Sequence, residues 1–113
     1  MLTQILLRGT RVQYKVTGEG APVILLHGWG CNLATMASIE AILTPHFKVY
    51  TIDFPGFGGS EIPAEVWGVD DYTRMLEEFV SELHIERPIL IGHSFGGRVS
   101  ILYGSRNEVR KIV

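Results

Sequence analysis

Three short apolar runs each end abruptly in a glycine-rich turn. Val23-Ile24-Leu25-Leu26 runs into His27-Gly28-Trp29-Gly30. Val49-Tyr50-Thr51-Ile52 runs into Asp53-Phe54-Pro55-Gly56-Phe57-Gly58-Gly59-Ser60. Ile89-Leu90-Ile91 runs into Gly92-His93-Ser94-Phe95-Gly96-Gly97. Continuous apolar runs this short suit strands covered on both faces, which is the situation of a parallel sheet. The segments between them read as helices. One is expected from about Asn32 to Leu43, with Met36, Ile39, Ile42 and Leu43 as its apolar set and Pro45 closing it. The second has a clearer stripe of Tyr72, Met75, Leu76, Phe79, Val80 and Leu83, with Asp70 or Asp71 as its cap.

The ends of the chain complete the pattern. Residues 2 to 17 read as two strands around Arg8-Gly9-Thr10, a hairpin. A helix is expected from Phe95 to about Tyr103, and Val109 to Val113 reads as the opening of another strand. The fold class is therefore α/β: a mostly parallel sheet with helices on both faces, led by an antiparallel hairpin. Parallel strands place all their C-terminal ends on one edge, where such sheets carry their sites. All three glycine-rich loops fall on that edge.

Composition narrows the partners. The length of 113 residues fits one domain, and 46% hydrophobic with 19% charged residues excludes a disordered chain. A net charge of -2 gives no handle for nucleic acid or an anionic membrane. Cys31 is the single cysteine, so no internal disulfide forms and a reducing compartment fits. The opening MLTQILLRGTRV carries too little for a signal peptide. Val23 to Leu26 is the longest run of large apolar residues, too short to span a bilayer. The expectation is a cytoplasmic protein acting on a small-molecule substrate.

A strand that turns at once into a helix leaves its turn residue strained and exposed. Glycines on either side avoid clashes with such a turn. The Ser94 oxygen would then stand clear, next to backbone N–H groups of a helix N-terminus. Donors of that kind suit the oxyanion of a tetrahedral intermediate. Gly-x-Ser-x-Gly arises by chance in roughly 4% of chains this long, so the strand and helix around it decide the reading. A plain tight turn with an incidental serine is the alternative. His27-Gly28-Trp29-Gly30 likewise follows a strand: Trp29 N–H is a candidate second oxyanion donor and His27 a brace for the loop.

"HGWG", "DFPGFGGS" and "GHSFGG", in this order on successive strand ends, resemble the α/β-hydrolase fold family. They are similar to its H-G-x-G oxyanion loop, its D-x-P-G-x-G-x-S loop and its nucleophile elbow. The resemblance covers essentially the whole chain and implies that residues 1–113 are the N-terminal part of a serine hydrolase domain, an incomplete core of that fold. It implies Ser94 as nucleophile and the N–H groups of Trp29 and Phe95 as oxyanion donors. His27, Gly28, Asp53, Gly92 and Gly96 would support the loops, with Asp53 and Ser60 in a structural loop and not in the triad. It implies no metal and no organic cofactor. Serine at the elbow argues against the family's aspartate-nucleophile branches, the epoxide hydrolases and haloalkane dehalogenases.

That family orders its triad as serine, then acid, then histidine. After Ser94 come Glu108 and no histidine. His93 is expected to be packed, since neighbouring side chains diverge at a turn. His27 is expected to be structural, His46 and His84 solvated, and Cys31 a small buried hydrophobe. The base and the acid are thus expected outside this chain, completed by a C-terminal segment or a swapped homodimer. This chain alone would be inactive or weakly active. Two other functions compete. Gly28-x-Gly30-x-x-Leu33 with Asp53 resembles a dinucleotide-binding fingerprint lacking its third glycine. A non-catalytic remnant or split fragment of the same fold could instead bind a ligand through the same pocket.

Overall fold

The computed structural model describes residues 2–113. The hairpin is made of β1 (Leu2–Leu7) and β2 (Thr10–Thr17), joined by Arg8 and Gly9. Both turn residues have positive φ, 49° and 72°, as the twist of a two-residue hairpin requires. The remaining strands are β3 (Pro22–Leu26), β4 (Lys48–Ile52), β5 (Ile89–Gly92) and β6 (Lys111–Ile112). The sheet order is β1-β2-β4-β3-β5-β6. β4, β3, β5 and β6 are parallel, and β2 joins β4 antiparallel. The chain steps from β3 to β4 on one side and then to β5 on the other. The strand order therefore reverses at β3, and a crevice opens outside the C-terminal ends of β3 and β5.

Alternation along the strands divides the core between two faces. Ile24, Leu26, Ile52 and Leu90 face α2 (Val69–Glu82) and α3 (Phe95–Arg106), packing on Met75, Leu76, Phe79 and Val99. Val23, Leu25 and Val49 face the other way, against Met36 and Leu43. Phe79 is fully buried, with its ring edge-on to Tyr14 at 5.2 Å and to Tyr50 at 6.1 Å.

The structure corrects three local expectations. The first helix is split into a 3-10 turn, Leu33–Met36, capped by the Asn32 side chain, and α1, Ala37–Leu43. Ile39 and Ile42 are exposed; the buried position on α1 is Glu40, held by Lys15 at 3.1 Å and by the Thr17 hydroxyl at 3.0 Å. A charged partner on β2 turns the helix onto its polar residue. At α2 the cap is Gly68, not an aspartate. Asp71 lies three residues further on, and its carboxylate accepts from Gly68 N–H at 2.8 Å. Asp70 instead joins Arg74 and Arg106, tying α2 to α3. The last strand forms only at Lys111–Ile112, shorter than expected.

α2 ends in a paired cap: His84 N–H donates to Ser81 O, and Ile85 N–H reaches back to Val80 O at 3.0 Å. His84 takes the left-handed position, φ 54°, usually given to glycine. Among the described residues no helix is long and apolar enough to cross a membrane. Phe79→Ala should cost about 3–5 kcal/mol, read as a fall in the urea midpoint with unchanged slope.

Candidate functional site

The elbow is built by close approach of α3 to β3. A Cβ on Gly96 would overlap the Leu26 carbonyl oxygen and lie 2.8 Å from His27 O; one on Gly92 would lie 2.5 Å from Gly96 O. Only bare Cα atoms let the helix start this near the strand. His93 N–H donates to Leu26 O at 3.0 Å and Gly96 N–H to His93 O at 3.0 Å, fixing the turn from both sides. Ser94 sits between them with φ 56° and ψ −111°, a backbone that side chains rarely adopt, and it is exposed. It occupies the N-cap of α3, so Phe95 N–H is the first free donor of the helix.

The loop after β3 runs alongside. Gly28 is buried against the His93 ring; a Cβ there would come 2.8 Å from His93 Nδ1. Its carbonyl accepts from Cys31 N–H at 3.0 Å. Among the described residues neither Trp29 N–H nor Phe95 N–H has a hydrogen-bond partner. The Trp29 ring is 60% exposed, yet packs edge-on against Phe95 at 5.1 Å and Phe57 at 4.7 Å. Phe95 in turn meets Tyr72 at 5.2 Å and Phe54 at 5.7 Å. These rings make an aromatic floor beneath the crevice.

His27 is fully buried. Its Nε2 accepts from Phe54 N–H at 2.9 Å, so Nδ1 carries the proton and donates to Gly28 O at 2.7 Å. Both nitrogens are committed, so His27 braces two loops and has no lone pair for Ser94. Burial pushes its pKa below the ordinary 6.5, against smaller opposing effects of the Gly28 bond and the Asp53 charge. Asp53 is 1% exposed. Its carboxylate accepts from Leu33 N–H at 2.6 Å, Gln13 Nε2 at 2.9 Å and Gly59 N–H at 2.9 Å. Ser60 Oγ donates to Asp53 O at 2.6 Å and accepts from Gln13 N–H at 2.8 Å. With its oxygens filled internally, Asp53 offers nothing to a ribose, which removes the basis of a dinucleotide fingerprint.

Ser94, Trp29, Phe95, His27, Gly28, Gly92 and Gly96 therefore meet at one place on the sheet edge, with Asp53 locking the loop beside them. His93 packs its ring on Gly28 as expected but stays exposed overall; Cys31 is only half-buried. His46 and His84 are exposed. Gln13 and the aromatic floor went unread in the sequence. Gln13 lies in the hairpin, remote from every motif, and Tyr72 belongs to a stripe that packing alone explains. Among the described residues no group of His, Cys, Asp and Glu could hold a metal.

A family model for the alpha/beta hydrolase fold matches residues 21–113. The chain is 31% identical over 105 residues to a soluble epoxide hydrolase of Corynebacterium sp. strain C12, covering 93% of this chain and 37% of that protein. It is 33% identical over 94 residues to a pimeloyl-[acyl-carrier protein] methyl ester esterase of Vibrio vulnificus, covering 80% and 34%. The ligand-free structure of the epoxide hydrolase CorEH superposes with a TM-score of 0.91 at 30% identity, over 99% of this chain and 40% of that one. The chain thus spans about a third of the length of the curated relatives it matches, 37% and 34% for these two.

Gly96→Ala should cost about 1–3 kcal/mol by overpacking against backbone that cannot yield, seen as a lowered unfolding midpoint. The sign for His27 follows from its lowered pKa. As pH falls below 6.5 the unfolded chain takes the proton first. Stability is therefore full above 6.5 and declines below it, until the folded imidazole also titrates. Imidazole nitrogen spectra should show His27 predominantly neutral at pH 6.5 with the proton on Nδ1; a predominantly imidazolium form there contradicts the assignment.

Proposed function

The chain belongs to the alpha/beta hydrolase fold family, and on that premise we propose that it is the nucleophile-bearing part of a serine hydrolase acting on a small ester, thioester or related carbonyl compound. The observation that carries the reading is the strained backbone of Ser94 at the β5–α3 turn, φ 56° and ψ −111°. That backbone stands the hydroxyl clear of the sheet edge, next to two N–H groups without internal partners.

In this reading Ser94 Oγ attacks the carbonyl carbon while its proton passes to a general base. The carbonyl π bond opens, and the resulting oxyanion accepts hydrogen bonds from Trp29 N–H and Phe95 N–H. The tetrahedral intermediate collapses, the leaving alcohol or thiol departs with the base's proton, and an acyl-enzyme remains for water to hydrolyse. The base is a histidine oriented by an acid, both supplied by sequence outside this chain. His27 is excluded by its two committed nitrogens. His93 is the residue before Ser94, and its ring lies over Gly28. A completing C-terminal segment or a swapped second copy would bring the pair.

The relatives are named for different chemistries, an epoxide hydrolase and a methyl ester esterase. Serine at the elbow favours acyl transfer to a hydroxyl over the epoxide reaction, since the family's epoxide branch uses aspartate there. The aromatic floor of Trp29, Phe57 and Phe95 favours an apolar acyl or alcohol group. The route needs no metal or organic cofactor. The single cysteine and the slightly negative net charge fit a cytoplasmic enzyme without affinity for nucleic acid or membrane.

A fluorophosphonate probe applied to the natural gene product should label Ser94. The label should vanish in Ser94→Ala while the circular dichroism spectrum is unchanged. A probe that leaves Ser94 unmodified, or labels the alanine variant equally, overturns the reading.

A further inference from the structure

The opposite edge of the sheet holds a second cleft. It lies at the N-terminal ends of the parallel strands, with a volume of about 440 Å³. β3 alone separates it from the catalytic edge by about 13 Å from Pro22 to Leu26, at the usual rise per residue. Three cations line it, from three separate segments of the chain. Lys48 begins β4, Arg87 precedes β5 and Arg110 precedes β6. His84 and Glu86 complete the wall contributed by the α2–β5 loop, while Pro22, Tyr50 and Ile85 form the apolar floor.

The charges are poorly matched internally. Arg87 has one carboxylate in reach, Glu108 at 3.9 Å, and that carboxylate is 85% exposed. Lys48 and Arg110 have no ion-pair partner among the described residues. Lys48 instead lies over the Tyr50 ring, 5.5 Å from its centroid. Tyr50 is 5% exposed and lines the cleft, and its hydroxyl, with no hydrogen-bond partner among the described residues, keeps some solvent contact. The loop is strained as well: His84 and Arg87 both take positive φ, 54° and 44°. Glycine would adopt either conformation at lower cost. Side chains are retained at both positions, and both line the cleft.

We propose that this cleft binds a small phosphate-bearing ligand, with Lys48, Arg87 and Arg110 around the phosphate and the Tyr50 phenol donating from the floor. Several cations on separate segments suit a multiply charged group better than a single carboxylate. Guanidinium forks match phosphate oxygens in pairs, and a lysine adds a point charge. Tyr50, Ile85 and Pro22 leave room for an organic portion beside the phosphate. Glu86 on the rim disfavours ligands that extend negative charge in its direction.

The test uses thermal unfolding of the natural gene product with inorganic phosphate and pyrophosphate, each at constant ionic strength against chloride. A ligand of the folded state raises the midpoint in a saturable way. Binding by either anion supports the site, and the tighter of the two tells whether it takes one phosphate or two. Lys48→Ala combined with Arg110→Ala should weaken the affinity at least about tenfold, the scale of a lost charged hydrogen bond. Both residues are exposed, so the variant should fold. Tyr50→Phe should weaken it a few-fold while leaving the anion-free midpoint near that of the parent. Fluorophosphonate labelling of Ser94 should be unaffected by these changes. A midpoint that follows ionic strength alone, or an affinity unchanged in the double variant, overturns the proposal.

Discussion

The contact between the Gly96 Cα and the Leu26 carbonyl sets the C-terminal edge of the sheet. α3 can begin this close to β3 only because no Cβ intervenes. Placing the helix there forces the chain from β5 to reverse within two residues. That reversal puts Ser94 in its strained backbone and the helix N-terminus beside it. Were α3 to start one residue later, Phe95 would become its N-cap in place of Ser94, and Ser94 would relax into an ordinary loop. The exposure of Ser94 and the donor beside it are therefore consequences of one packing distance.

A turn this tight needs its neighbours held still, and the holding is polar. His27 joins the loop after β3 to the loop after β4: Nε2 accepts from Phe54 N–H while Nδ1–H holds Gly28 O. Asp53 collects the start of the 3-10 turn, the glycine loop and the β2 strand on one carboxylate. Burying that carboxylate would cost several kcal/mol if it stood alone. Three donors offset the cost, and each donor comes from a different segment. The network thus stabilises only the arrangement in which all three segments are in place, which is why it specifies the loops and does not merely tolerate them.

This division explains what could be read from the chain in advance. β3, β4, β5 and α2 are legible because burial on one or two faces writes a period into the sequence. The elbow is legible because its glycines sit at fixed offsets from the serine. The cap of α2 is not, since a glycine there relies on the Asp71 carboxylate three residues later, and either aspartate could have served. α1 is misleading for a plainer reason. Ile39 and Ile42 form an apolar pattern, but Lys15 on β2 draws Glu40 inward, and a partner so distant in sequence leaves no local mark. Gln13 is hidden in the same way: nothing in a strand's alternation says that its amide clamps an aspartate from another loop. Motifs disclose residues close in sequence; clamps formed across the sheet do not appear in them.

Positions of positive φ held by residues other than glycine sharpen the point. There are four among the described residues: Arg8, His84, Arg87 and Ser94. Each costs on the order of a kcal/mol relative to glycine, so a side chain retained there should have something to do. Arg8 does: it pairs with Asp71 at 3.5 Å and lies 5.7 Å from the Trp67 ring centroid, fastening the hairpin to α2. Ser94 presents a hydroxyl at the C-terminal edge of the sheet. His84 closes the C-terminus of α2, whereas Arg87 makes only the loose ion pair to Glu108 among the described residues. Both line the cleft at the N-terminal edge of the sheet. Arg87 is thus, like Ser94, a strained position whose side chain does little to fasten the fold itself.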